Sequence, residues 1–249
     1  MIFTVAGKEL RAMFSSPMGW VILALLQAVF AHFGFFAGID QYFNIMSGAM
    51  RPEQRMGVTE FVGSNIFNMA SFVMLVAVPL LSMRLISEER KNQTLTFLFS
   101  APLTLTEIVL GKFIGLVGFL TIVIAFLAAM ISSLNLWTDM DFGYIAANVI
   151  GLWFLVASFA ALGVFVSSLT QQPIIAAIIS FIALFALLAF DQYLASDPNS
   201  FFNHVSLMRH FEPFSRGLLD TRDFSYFILF IFTFLTLTVR RLDADRLRG

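Results

Sequence analysis

RLISEERKNQTLTFLFSAPLTLTEIVLGK, residues 84–112, is the charged island that sits between long apolar runs of this chain. Charged side chains and irregular backbone are costly in hydrocarbon, so the island belongs at or beyond membrane headgroups, with one span before it and one after. Inside it Glu88, Glu89, Arg90 and Lys91 form a mixed-sign cluster, and Leu95, Leu98 and Phe99 recur at helical spacing between Thr94 and Pro102. That spacing predicts a short amphipathic helix, a candidate docking surface. Thr104 and Glu107 then have the spacing of a capping box, with Leu103 and Ile108 at the two staple positions, so a new helix is expected from Leu105.

Outward from the island the chain is too apolar to be soluble. Of its 249 residues 59% are hydrophobic and 12% charged, 31 are Phe, and the mean hydropathy is +0.85. Soluble domains are nearer roughly 45–50% apolar and about 25% charged. The composition predicts an all-α polytopic membrane protein formed as a single domain over residues 1–249, with six transmembrane helices at 17–38, 61–83, 105–134, 144–166, 173–190 and 223–239. The last two are short in apolar length, and Arg240 is expected to snorkel at the end of the sixth. A first span of this length, preceded by Lys8, Glu9 and Arg11, reads as a retained span and not as a cleaved signal.

With the N-terminus inside, ten of the fifteen basic residues fall on the inner side: Lys8, Arg11, Arg84, Arg90, Lys91, Lys112, Arg240, Arg241, Arg246 and Arg248. Arg51, Arg55, Arg209, Arg216 and Arg222 fall outside, so both termini are expected in the cytoplasm. Residues 1–16 place Phe3, Ala6, Leu10, Met13 and Phe14 on one helical stripe and Thr4, Lys8 and Arg11 opposite. They read as an interfacial helix, or else as an extension of the first span, which Ser15, Ser16 and Pro17 interrupt.

Polar residues inside the spans are few. Gln27, His32, Asn65 and Asn68 read as helix-packing hydrogen-bonders or as pathway-lining groups, and Pro79 as a kink just before the island. Outside, one or two helical turns are expected after Pro52, and Asp197 with Pro198 begins an outer amphipathic helix carrying Phe201, Val205 and Met208. Asp139 and Asp141 offer too few oxygen ligands for a metal and read as a solvated turn. The turn from Ser167 to Pro173 is a second, smaller candidate for contact with a partner.

The island resembles the loop after the second span in type-2 ABC export-class permeases, which read roughly E-E-R-x-x-x-T-L-x-x-L-x-x-x-P-x-x-x-x-E-I-x-x-G-K. The matching residues are Glu88, Glu89, Arg90, Thr94, Leu95, Leu98, Pro102, Glu107, Ile108, Gly111 and Lys112. Residues 8–17 are similar to the elbow helix of that family. Residues 210–227, with Gly217 and Asp220, are similar to the outer re-entrant segment of its gliding-motility and nitrous-oxide-reductase accessory subgroup. The resemblance implies a coupling helix over residues 95–100 within a cytoplasmic region 84–104, gripped by a separate P-loop ATPase present in two copies. It also implies a second permease copy or relative, a partner with a large periplasmic domain, and a place in a bacterial inner membrane. ATP and Mg²⁺ would then belong to the ATPase, with no cofactor in this chain.

The residues themselves exclude much else. There is no G-x-x-x-x-G-K-[ST] cradle, since Gly111 and Lys112 lack the upstream Gly and the following hydroxyl. With no Cys, disulfides and thiolate chemistry are excluded. The G-x-S-G motif of rhomboid-like proteases is missing, and a single intramembrane His cannot supply both axial ligands of a haem. No catalytic residue, metal site or nucleic-acid contact is expected. An ion-coupled carrier is the rival, and it is disfavoured because no carboxylate lies in the charge-free runs. A membrane scaffold without transport is the third reading.

Overall fold

The computed structural model of the chain describes residues 1–47, 57–94, 103–194 and 206–246. They form α1 (Ile2–Ser15), α2 (Pro17–Val29), a π-helical turn (Phe30–Phe36), α3 (Ala37–Ser47), α4 (Val58–Ser82) and α5 (Arg84–Lys91). There follow α6 (Leu105–Ser132), a 3₁₀ turn (Ser133–Leu136), α7 (Phe142–Leu169), α8 (Pro173–Leu194), α9 (Leu207–Ser215) and α10 (Thr221–Arg246). No strand occurs among the described residues. Among the described residues four stretches are long and apolar enough to cross a membrane: Pro17–Ile45, Val58–Lys91, Leu105–Leu136 and Phe142–Leu169. At about 1.5 Å per residue even the shortest, of 28 residues, exceeds a core of about 30 Å.

α7 is the most buried of these, with α4, α5, α6, α8, α9 and α10 all packed around it. Its run Ala157, Ser158, Phe159, Ala160, Ala161 keeps side chains small on most sides. Neighbouring helices can therefore approach closely, the main source of cohesion where lipid is as apolar as the helices. α4 runs parallel to α7: the Asp141 N–H donates to Thr59 Oγ1 (3.3 Å) where both helices begin, while Ser167 meets α5 where both end. α10 runs parallel to α7, with Phe154 against Phe224 and Phe227 and Phe165 against Phe234. The outer surface is greasy, with Trp20 and Leu25 on α2, Ile174 and Ile182 on α8, and Leu229 and Phe232 on α10 all exposed. Such a surface suits lipid and would be a liability in water.

One boundary differs from those read off the sequence. The first helix does not end at residue 38 but continues through the π turn and α3 to Ser47. Ile39 and Tyr42 extend its apolar stripe, and the Tyr42 ring lies 5.9 Å from that of Phe61. Pro79 sits inside α4 without ending it; the break falls four residues later, at Met83. The helix expected after Pro52 lies outside the described residues, as do Asp197, Pro198, Phe201 and Val205 of the expected outer helix. The described helix there, α9, begins after Ser206, whose hydroxyl accepts from the Arg209 N–H (3.3 Å), and it buries Leu207, Phe211 and Phe214.

Candidate functional site

The break at Met83 frees the N–H groups that open α5. Ser167 of α7 meets them: its Oγ accepts from the N–H groups of Ile86 (3.2 Å) and Ser87 (3.1 Å) and donates to the Met83 carbonyl (2.9 Å). A hydroxyl from another helix thus does the work of an N-cap. Ser87 Oγ also donates to the Met83 carbonyl. α5 is therefore pinned to α7, with Leu85, Ile86 and Ser87 buried.

The charges of α5 divide by face. Glu88 and Lys91 are exposed, as is Thr94, whose hydroxyl donates to the Glu89 carbonyl (3.3 Å). Glu89 and Arg90 turn inward. Lys112 of α6, only 2% exposed, places Nζ 2.7 Å from Glu89 Oε1 and 2.8 Å from Glu9 Oε1 of α1. Arg90 pairs with Asp245 of α10, which Arg241 also approaches at 3.5 Å. Two adjacent residues of α5 thereby tie it to α1, α6 and α10. Burying an isolated ammonium costs several kcal/mol, and two carboxylates offset that cost here.

α1 lies along α6 in parallel. A Cβ added at Gly111 would stand 2.5 Å from that of Val5, and one at Gly115 would stand 2.7 Å from that of Glu9. The expected apolar stripe is rotated as a result: Ala6, Leu10, Met13 and Phe14 face the core, but Phe3 is 83% exposed and Glu9 points inward. The glycine furrow and the pull of Lys112 account for the rotation. At the start of α6, Thr104 Oγ1 accepts from the Glu107 N–H (3.3 Å) and Glu107 Oε2 accepts from the Thr104 N–H (3.0 Å), a reciprocal capping box. Leu95, Leu98, Phe99 and Pro102 of the expected coupling helix lie outside the described residues.

The intramembrane polar residues are dispersed. Gln27 Nε2 donates to the Val123 carbonyl of α6 (2.8 Å), a packing bond between helices. His32 is exposed on the π turn, edge-on to Phe33. Asn65 is half-buried against Gly38, and Asn68 is exposed, lining a groove of about 340 Å³ with Phe72, Leu188 and Met208. At that end of the molecule Gly217 (φ +79°) closes α9. The Leu218 N–H donates to the Pro213 carbonyl and that of Gly217 to Phe214, both at 2.9 Å, the double bond of a Schellman motif. Asp220 Oδ1 accepts from the Arg222 N–H (3.0 Å) at the start of α10, and Tyr144 OH donates to the Ser215 carbonyl (2.8 Å).

Sequence reasoning gave Glu9 and Asp245 no role in the site, and it placed Ser167 only in a turn that is a candidate partner contact. It also missed a partly buried pair between α9 and α10, His210 Nδ1 to Asp223 Oδ1 at 2.6 Å, with the His210 ring stacked on Tyr226. Partners so distant along the chain leave no local spacing signal. Among the described residues no group of His, Asp or Glu could hold a metal ion.

The family model described as ABC-2 family transporter protein matches residues 3–238 of this chain. No curated protein matches it.

Proposed function

The chain belongs to the ABC-2 family of transporter proteins and is a multi-pass membrane protein, and from that premise we propose that it couples nucleotide-driven motion of a separate P-loop ATPase to its own helices. Two ATPase subunits act on two permeases related by a two-fold axis, since one such bundle does not enclose a path by itself. The chain crosses a bacterial inner membrane six times, α8 and α10 completing the set, with both termini and α5 in the cytoplasm; α1 serves as the elbow. Residues 95–100 form the coupling helix, which Glu88 and Thr94 flank on the exposed side, and Leu98 and Phe99 insert into the ATPase.

One observation carries this assignment. The element leading directly into residues 95–100 is braced on three sides, by Glu89 to Lys112 and Glu9, by Arg90 to Asp245, and by Ser167. A push delivered there reaches α1, α6, α7 and α10 together, as rigid-body levers require. Asn65, set against Gly38, serves helix packing, and Asn68, exposed in its groove, is the pathway-lining candidate. Similarity of residues 210–227 to the motility and nitrous-oxide-reductase accessory subgroup supports a further partner with a periplasmic domain, and an output that is mechanical as much as transport.

Leu98→Lys tests the docking. A charge forced into an apolar groove costs several kcal/mol, so the ATPase is expected to be lost on purification in mild detergent while the permease still inserts. Retention of a stable complex contradicts the assignment, as does ion-gradient-driven flux in vesicles from the purified chain alone.

A further inference from the structure

A cleft of about 330 Å³ opens between α1, α2, α4, α5 and α6 on the side of the charge clamp. Glu9, Glu89 and Lys112 line one end of it. Two carboxylates set against one ammonium leave this end with an excess negative charge in a poorly solvated place. Glu89 Oε2 is buried and has no hydrogen-bond partner among the described residues, although Oε1 is bonded to Lys112. A buried carboxylate oxygen without a donor is costly, and its natural complement is an N–H-bearing cation. At the rim stands Arg84, exposed and outside every ion pair found among the described residues. Exposed Glu88 and Asn92 also line it beside Arg84, the rest of the lining is mostly apolar, with Ile22, Leu81 and Leu85, and Met18 and Leu80 at its lip are 45% and 51% exposed.

Carboxylate floor, guanidinium rim and greasy lip together match one kind of molecule. We propose that the cleft holds the headgroup of phosphatidylethanolamine. Its primary ammonium reaches Glu89 Oε2, its phosphate meets Arg84, and its acyl chains leave past Met18 and Leu80 into the bilayer. A choline headgroup has no N–H to give, and an anionic headgroup would meet the surplus carboxylate. A basic side chain from a soluble partner fits less well, because the cleft opens over apolar residues of α2 and α4. The lipid locks α1 and α2 to α5. Assignment to the inner leaflet rests on the orientation proposed above; the headgroup chemistry does not.

The test uses the full chain, purified alone, with short-chain phosphatidylethanolamine, phosphatidylcholine and phosphatidylglycerol as probes. Native mass spectrometry gives occupancy and thermal unfolding in detergent gives the stabilisation. Phosphatidylethanolamine is expected to bind at least about tenfold more tightly than the other two, the worth of one charge-assisted hydrogen bond. Glu89→Gln is expected to erase that preference. Since Glu89→Gln also weakens the Lys112 pair, Ala12→Trp supplies the second variant: Ala12 is exposed on α1 and lines the cleft, so a Trp there fills the space without replacing a member of an ion pair. It should abolish binding while the unfolding temperature without lipid stays near that of the wild type. Equal binding of the three lipids, or binding that survives Ala12→Trp, would each overturn the proposal. Because the permease is assayed without the ATPase, failure here leaves the coupling assignment standing.

Discussion

Lys112 occupies a position that no ammonium would hold alone. It is 2% exposed and, among the described residues, paired with Glu9 and Glu89, which lie 103 and 23 residues away along the chain. Lys112→Met leaves two carboxylates facing each other without a counter-charge. The expected loss is roughly 3–5 kcal/mol, read as a fall in thermal unfolding temperature in detergent, and Glu9→Gln added to the same background should restore part of it. Ser167→Ala deletes the acceptor for two N–H groups and is expected to cost about 1–3 kcal/mol, with α5 losing hydrogen-exchange protection before the rest of the molecule. Neither role was legible in advance. Lys112 was visible as the end of a G-K motif, but it reads as a water-facing charge until α1 is known to lie beside α6. Ser167 was read only as part of a turn that is a candidate partner contact, because the break it caps is on another helix.

Helices as units were far more legible than their contacts. Thr104 and Glu107 announced the start of α6, and the apolar runs announced α4 and α7, because capping and hydropathy are local properties. The end of the first helix was not legible. Asp40 and Asn44 suggest a loop, yet Ile39 and Tyr42 carry the helix on by packing against α4. The orientation of α1 was missed for a similar reason, since its own stripe places Phe3 inward and only the furrow at Gly111 and Gly115 turns it. Gly111→Leu is therefore expected to lift α1 off α6, destabilising by about 1–3 kcal/mol. The chain has no Cys, so a single Ala6→Cys reports the change as a rise in thiol labelling from a buried baseline. At the opposite end Gly217→Ala must hold φ +79° with a Cβ 3.0 Å from the Tyr144 ring. A penalty of about 1–2 kcal/mol, or a reopened turn between α9 and α10, is expected by the same unfolding measurement.

As a whole the molecule is asymmetric in charge and uniform in grease. One described end carries the clamp, the capping box and exposed Glu88 and Lys91, while the flanks expose Trp20, Ile182 and Phe232. That arrangement suits a lever moved from one side, and charge reversal at Glu88 is expected to lower coupled ATP hydrolysis severalfold while insertion persists. The Cys-free background again permits the decisive measurement, thiol crosslinking in native membranes from Lys91→Cys beside α5 and from Asp139→Cys in the turn between α6 and α7. Crosslinking of a P-loop ATPase to position 91 and never to 139 is the predicted result. Capture of that ATPase at 139, or full activity with no ATPase ever joined at 91, contradicts it.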